Sequence, residues 1–391
     1  MHYDVIIVGG GASGLACAAR LSSNCKRLKI KIIDACDRLG RKLSATGNGQ
    51  GNISNIEMTV NHFHGGNTRL AEKIACKDAY AGTRLFDCIF FADEKGRIYP
   101  AGRQASALAD ELIRKINHTG AVDCACGQKV EEIAVRENGK FCVNYGVNYD
   151  TSDFAAVCVG GSAQKQYKTD GTSYALAKNL GHTITVLYPS LVQIKTELTD
   201  IKTLKGIRAD CRLSALYNGT LIADCRGDVI FTEYGVSGNA VFSVSSYISD
   251  KRGITLTLEF LPDVSFNEIK EIIEKRKRGG CKESELLSGT LHNQLGRAVI
   301  KRAGSSDPAA ITKTLKKFEL PVKGVLGFDY AQVTKGGINM REITDELESK
   351  ICRNLFFAGE VLDVDGDCGG YNLQWAFTSG IAVADAILKR V

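Results

Sequence analysis

"YDVIIVGGGASGLACAARL", residues 3–21, decides the fold. Val5 to Val8 form an apolar run of strand type, Gly9 to Gly11 a glycine turn, and from near Gly14 the apolar residues recur as on a helix. Gly9, Gly11 and Gly14 have G-x-G-x-x-G spacing: the first for a tight turn, the second for close approach of a pyrophosphate, the third for helix-on-strand packing. The helix start, with Ala12 and Ser13, offers free N–H groups and partial positive charge to a diphosphate.

A glycine fingerprint alone is a weak signal, and its context strengthens it. "LKIKIIDA", residues 28–35, reads as a second strand ending in Asp34, twenty positions past Gly14. A carboxylate there suits ribose hydroxyls and repels a ribose phosphate, which argues against NADP at this site. The polar run "GRKLSATGNGQGNISN", residues 40–55, follows on the side where ligands of open α/β sheets bind, and reads as a surface loop. Arg41 and Lys42 can meet phosphate charge, and the glycine-asparagine run can bring backbone donors to a planar ring. Ser54 and Asn55 fit a solvated turn equally well.

Residues 354–391, "NLFFAGEVLDVDGDCGGYNLQWAFTSGIAVADAILKRV", repeat this logic: a short buried strand, a break at Gly359 and Glu360, a glycine-rich loop, then a helix from about residue 372 to 389. A ligand touching both termini is a dinucleotide with a large second ring, which favours FAD over NAD. Glu360 is placed for the ribityl chain and Tyr371 to Gln374 for the flavin pyrimidine edge. Trp375 reads first as core and second as a pocket wall. A crossing strand at 154–159 ends in Gly160 and Gly161 without the full fingerprint, so NADH or NADPH must visit transiently as reductant. The expected FAD contacts also include Ala35, Thr46, Gly47, Asn48, Gly49, Asn52, Val130 and Gly370.

From about 190 to 260 short strands alternate with turns, and 265–318 switch to helical spacing, with Ser265 and Glu268 as a capping box. The expected organisation is an α/β FAD-binding Rossmann-like domain (1–188 plus 325–391) interrupted by a β-barrel-like domain (189–263 plus 319–324) and a helical insert (264–318). Lys275 to Arg278 read as a solvated face.

Composition narrows the class. With 44% hydrophobic and 24% charged residues the chain is globular, and its net charge of +6 is spread over 50 cations and 44 anions. Nucleic acid is therefore an unlikely partner and a small molecule the expected one. The first apolar run is too short for a signal segment or membrane span, which points to the cytoplasm. Fourteen cysteines are scattered without a Cys-x-x-Cys pair, and His62 and His64 have no matching cysteines, so no metal is expected.

These stretches, together with "LGHTITVLYPSLVQI", "FTEYGVSG" and "VTKGGI", resemble the YhiN-type (BaiN-like) flavoproteins over nearly the whole chain. That resemblance implies FAD, a barrel and a small helical domain inserted into the nucleotide domain, and either reduction of 3-dehydro bile acids or oxidation of aminoacetone. The chain departs from the family's pattern at Gln50, Gly51 and Ser173. The first reading is NAD(P)H-driven reduction of a C=C bond conjugated to a ketone in a bile acid or steroid-like enone; the alternative is oxidation of a small amine, and a third, against which the even mixing of charge counts, is an RNA-binding or RNA-modifying flavoprotein that uses the basic helical insert. Glu233 and Tyr234 in "TEYGVSG" are the candidate catalytic residues, as proton donors or carbonyl partners.

Overall fold

The structure, a computed structural model, describes residues 1–391. The chain opens with β1 (His2–Val8), α1 (Ala12–Asn24) and β2 (Ile30–Asp34). Val5, Ile6 and Ile7 are all fully buried, as befits a parallel strand covered on both faces. Two short strands, β3 (Ser54–Asn55) and β4 (Phe63–Gly65), precede α2 (Thr68–Ala75) and α3 (Ala105–Thr119). Then come β5 (Val122–Cys126), an antiparallel meander of β6 (Val130–Val135), β7 (Phe141–Tyr145) and β8 (Asn148–Val157), and the short α4 (Tyr174–Asn179).

The next stretch, Pro189–Gln332, is a compact unit of its own. Its strands β9 (Ile194–Thr196), β10 (Arg208–Tyr217), β11 (Thr220–Phe231), β12 (Gly235–Ser237), β13 (Ile254–Phe260) and β14 (Phe318–Val325) close a barrel in the order β9-β12-β11-β10-β13-β14. Closure removes the exposed edges an open antiparallel sheet would present. α5 (Asn239–Ile248) packs on β11, and α6 (Phe266–Arg278), α7 (Asn293–Ala303) and α8 (Pro308–Lys316) form the helical part. Ser265 Oγ accepts the Glu268 N–H at 3.2 Å, so the cap read from sequence is present. Phe260 and Phe318 meet with ring centroids 5.8 Å apart in this unit's core.

Met1–Tyr188 and Val333–Val391 together make the other unit. The returning chain supplies β15 (Leu355–Phe357), β16 (Val364–Gly366) and α9 (Tyr371–Leu388). β5, β2, β1, β8 and β15 run parallel in that order, so Asp34, Val8, Val157 and Phe357 end on one edge of the sheet. Its core is built from large apolar side chains, among them Trp375, Phe356, Phe357 and Phe377. α9 crosses α1 so closely that a Cβ on Gly380 would strike the Ser13 carbonyl oxygen. No helix is long and apolar enough to cross a membrane.

Candidate cofactor and active site

The three fingerprint glycines differ in what surrounds them. Gly9 has φ +102°, which an L side chain rarely adopts, and a Cβ there would strike the Cys158 carbonyl oxygen. A Cβ on Gly14 would strike the Gly9 carbonyl oxygen, so the helix is seated directly on the turn. Gly11, by contrast, has no atom within 4 Å of the place a Cβ would take. That open space lies at the N-cap of α1, where no side chain caps the helix and the first N–H groups have no intrahelical acceptor. Such a cradle fits a pyrophosphate, and the chain's own residues thus fit an FAD diphosphate.

Asp34 has a structural use besides the ribose contact expected of it. Its carboxylate accepts the Gly10 N–H at 2.5 Å and the Cys36 N–H at 2.7 Å, fastening the end of β2 to the glycine turn. Burial, together with the Asp34 charge, pushes the Cys36 thiol up to about 11, and burial pushes Cys158 up to about 12. Neither is a thiolate near neutral pH. All fourteen cysteines are free thiols.

The run 40–55 is not the flexible loop its composition suggests. Leu43–Gly49 form tight 3-10 turns in which Gly47 and Asn48 take left-handed conformations, and only Ala45 and Gly47 to Gln50 are exposed. Gly51 then packs on Ala105 and Leu108 of α3. Ser54 and Asn55, which fit a solvated turn by sequence, are buried in β3: Ser54 Oγ donates to the Ala79 carbonyl at 2.6 Å and Asn55 Nδ2 to that of Gly369 at 3.1 Å. Asn52 Nδ2 donates to the carbonyls of Ser54 and Ile98. Thr46 Oγ1 donates to the Leu43 carbonyl. These side chains are spent on shaping the segment and fastening it to its neighbours.

The cations expected to meet phosphate have protein partners. Arg41 pairs with Asp37 at 2.9 Å on the surface, and Lys42 Nζ lies 2.8 Å from Glu360 Oε2. Glu360 Oε1 also accepts the Thr334 N–H at 2.9 Å, while Thr334 Oγ1 accepts the N–H groups of Ser162 (2.7 Å) and Ala163 (3.1 Å). The loop after β8, with Gly160 and Gly161, is thus held by Thr334. Sequence reasoning had assigned it no role, although it stands in the quoted "VTKGGI". A Cβ on Gly161 would come within 2.8 Å of Glu360 Oε1. Gly359, at φ +79°, sits against Ser13 Oγ, which donates to the Ala358 carbonyl at 3.3 Å. Ala35 follows Asp34 at the sheet's ligand edge. Val130 begins β6 just after Gln128, whose N–H donates to the Asp34 carbonyl at 2.9 Å.

At the other end, α9 starts one residue earlier than expected and ends at Leu388. Its N-cap, Gly370, has φ +106°, with Ser54 so close that any Cβ would strike the Ser54 carbonyl oxygen. No side chain caps this helix, which leaves the N–H groups of Tyr371, Asn372 and Leu373 without helical acceptors. The Asn372 side chain is spent on Gly366, accepting its N–H at 2.8 Å and donating to its carbonyl at 2.7 Å. Gln374 corrects the sequence reading. Its side chain is fully buried and its Nε2 donates to the Asp78 carbonyl at 2.8 Å, so it ties α9 to the end of α2 instead of lying open to a ligand. Trp375 is core, its indole N–H donating to the Gly359 carbonyl at 3.1 Å.

The catalytic candidates also change. Glu233 is an exposed side chain 3.3 Å from Lys205, and its own turn's backbone and that lysine hold its carboxyl below the usual range, which suits a surface ion pair and not a proton donor. Burial pushes the Tyr234 phenol up.

The HI0933-like protein Rossmann domain family matches residues 3–386, which spans both terminal nucleotide-binding pieces and everything inserted between them. The chain belongs to this family. It is similar to the 3-dehydro-bile acid delta(4,6)-reductase of Clostridium scindens, with 30% identity over 98% of each chain. It is also similar to the ribosomal RNA dihydrouridine synthase of Haemophilus influenzae, with 28% identity over 100% of this chain and 99% of that one. Among solved structures, the 3-ketosteroid delta1-dehydrogenase of Sterolibacterium denitrificans shares the fold with a TM-score of 0.52 over 100% of both chains, at 13% identity. This HI0933-like chain is an FAD-dependent oxidoreductase with a Rossmann-type FAD-binding domain, a closed barrel and additional helices.

Proposed function

We propose that the protein reduces a C=C bond conjugated to a carbonyl, with a 3-oxo bile acid or related steroid-like enone as substrate and NADH or NADPH as reductant. The observation that carries this reading is the pair of uncapped helix starts at α1 and α9 in one unit, beside the 30% likeness to a bile acid delta(4,6)-reductase. In the reduced state bound FAD supplies a hydride from its N5.

This chain's residues do the rest by binding and orienting. The N–H groups at the start of α1 and the open space before Gly11 hold the diphosphate, and Asp34 keeps the glycine turn in shape for it while presenting its remaining lone pairs to the ribose. Glu360, fixed by Lys42 and Thr334, presents a carboxylate edge to the ribityl hydroxyls. The start of α9 places three N–H groups and a partial positive charge where the pyrimidine edge becomes negative, an effect of about 0.3–1 kcal/mol. That partial positive charge would favour the anionic reduced form of the ring.

The same bond type occurs in uracil, whose C5=C6 bond is conjugated to the C4 carbonyl, and one observation favours an RNA substrate as the second reading. Residues 264–318 carry twelve Lys and Arg against six Asp and Glu, an excess equal to the net +6 of the entire chain. Part of this excess is packed locally: Arg276 donates to the Glu285 carbonyl at 3.1 Å and Lys277 to that of Ser306 at 3.0 Å. Lys275, Arg278, Lys282, Arg297 and Lys301 are exposed. A charge excess so placed suits a polyanion better than the even mixture suggested by the totals. No observation favours the amine oxidase.

Mass spectrometry of the product separates the readings. Incubation with NADH and a 3-oxo-4,6-diene bile acid is expected to yield a product heavier by two hydrogens. If the bile acid is unchanged while uridines in unmodified ribosomal RNA gain two hydrogens, the second reading replaces the first. Consumption of oxygen with aminoacetone and no alkene reduced would overturn both.

A further inference from the structure

His62, His64 and Asp367 form a cluster that none of the foregoing uses. β4 and β16 pair antiparallel with His64 opposite Asp365, and His62 and Asp367 lie just outside this two-strand ribbon. The Asp367 carboxylate bridges the two rings: Oδ2 is 3.0 Å from His62 Nδ1 and Oδ1 is 2.9 Å from His64 Nε2. The Asp367 N–H donates to the His62 carbonyl at 2.9 Å, which closes the cluster through the backbone as well. His62 stacks on Tyr371, the first residue of α9, with ring centroids 4.3 Å apart and planes 18° from parallel. The cluster therefore stands at the helix start assigned above to the flavin pyrimidine edge.

Its chemistry is that of an acid. The Asp367 carboxylate favours the protonated form of His64, and it engages His62 through Nδ1, which leaves Nε2 of that ring for a ligand. Burial would lower the proton affinity of His64, but its bond to Asp367 and the nearby charges of Asp365 and Asp367 outweigh this, and Lys335 opposes them; the balance raises it above the ordinary histidine value. Burial raises Asp367, and the two histidine bonds outweigh that and hold it below the usual carboxylate range. Facing groups are Asp365 on β16, Lys335 from the strand segment before Gly336, and Glu57 and the Tyr371 phenol, whose proton is held by burial and by the negative charges of Glu57 and Asp367. The side chains of His62 and His64 keep 27% and 19% of their surface exposed, so a ligand can reach them.

We propose that His62 donates the proton that completes reduction of the conjugated alkene, with Asp367 and His64 as positioning residues. This rests on the enone reading above. Bound reduced FAD would supply a hydride, so that a C–H bond forms at the β-carbon as the alkene π bond breaks and the π electron pair moves onto the α-carbon and carbonyl oxygen. The Nε2–H bond of His62 then breaks as a C–H bond forms at the α-carbon. The substrate is reduced by two electrons, the flavin is oxidised by two, and His62 regains its proton from water.

Two readouts on the FAD-loaded full chain test this. In anaerobic stopped flow, the reduced wild-type enzyme is mixed with a 3-oxo-4,6-diene bile acid over a range of pH. His62→Gln is expected to slow reoxidation by about 10²–10⁴-fold, the usual contribution of a general acid, and to flatten the dependence of that rate on pH. Asp367→Asn should change that pH dependence without abolishing it, as a positioning residue would. The second readout is histidine-ring NMR, in which FAD loading of the apoprotein should move the His62 resonances. His62→Gln with wild-type reoxidation and pH profile, while wild type is reoxidised normally, overturns the donor role and leaves the enone reading intact. His62 resonances unmoved by FAD overturn the placement. A wild-type enzyme that no enone reoxidises overturns the enone reading and the donor role with it.

Discussion

Lys42 Nζ lies 2.8 Å from Glu360 Oε2, joining two parts of the chain that the whole inserted unit separates in sequence. Both side chains are about four-fifths buried, so the pair is shielded from solvent and not a loose surface contact. Glu360 is in turn bonded to Thr334, which holds the loop after β8. Lys42→Ala therefore leaves a largely buried carboxylate with one partner fewer. A loss of about 1–2 kcal/mol of stability is expected in urea unfolding, together with weaker FAD retention on dialysis; Lys42→Arg should recover most of the stability.

The fingerprint glycines separate binding from folding. Gly11→Val puts its side chain into open space, so the apoprotein should unfold at the wild-type urea midpoint yet be purified without flavin. Gly14→Val drives a side chain into the Gly9 carbonyl and should lose several kcal/mol, if it folds at all. A Gly11→Val protein that is fully loaded with FAD would refute the pyrophosphate cradle.

Asp34→Ala has a dual effect. It removes the acceptor of the Gly10 and Cys36 N–H groups, so flavin loss should be accompanied by a drop of about 1–3 kcal/mol in apoprotein stability. The sequence alone suggests a ribose contact only, with the fold untouched. Asp34→Asn keeps an acceptor oxygen and should fall between the two, as read by flavin content and urea midpoint together.

A buried charge cluster elsewhere sets an acid limit on stability. Asp150 is 5% exposed at its side chain and is bonded by Lys31, by Tyr145 and by the chain's amino terminus, the last at 2.6 Å. Burial raises its proton affinity, and these three partners outweigh that and hold it below the usual carboxylate value. A depressed carboxylate stabilises the fold above the unfolded value of about 3.9, and that stability is lost as pH falls through the folded value. Asp150→Asn should cost about 3 kcal/mol near neutral pH. The gap to wild type should close as pH is lowered below about 4, as followed by urea unfolding at each pH.

The parts of the site legible in sequence are those where a residue type has one steric or electrostatic use. Gly9, Gly14 and the acid at Asp34 follow from spacing because turn, packing and strand end recur at fixed distances in a βαβ unit. The barrel and helical unit were legible from the change of period between residues 190 and 318. What spacing does not carry is the partner of a polar side chain. Gln374 sits at a helix start that suits a flavin, yet points into the core, and Lys42 meets Glu360 across the fold. Glu233 and Tyr234 were chosen by type alone, and the exposed pair of Glu233 with Lys205 is the usual fate of a charge in a turn. Ser54 and Asn55 read as solvated because turn formers and buried brackets share one composition; their burial comes from the Ala79 and Gly369 carbonyls, which are remote in sequence.

The basic insert gives a prediction specific to the second reading. Lys275→Gln with Arg278→Gln lies on an exposed helix end and should leave flavin content unchanged, with the urea midpoint lowered only slightly by the loss of two cations from the helix C-terminus. If RNA is the substrate, filter retention of ribosomal RNA should weaken about tenfold or more at physiological salt, with a shallower salt dependence. Unchanged retention would remove this surface from the account.

The central claim, alkene reduction at an FAD site, is tested most directly by anaerobic spectroscopy of the flavin. The purified holoprotein is reduced with NADH in the absence of oxygen, and a 3-oxo-4,6-diene bile acid is then added. The account predicts bleaching by NADH followed by full return of the oxidised spectrum, one enone consumed per flavin. A reduced flavin that stays bleached with the enone and with uridine-containing RNA, but recovers on admission of oxygen, would contradict it.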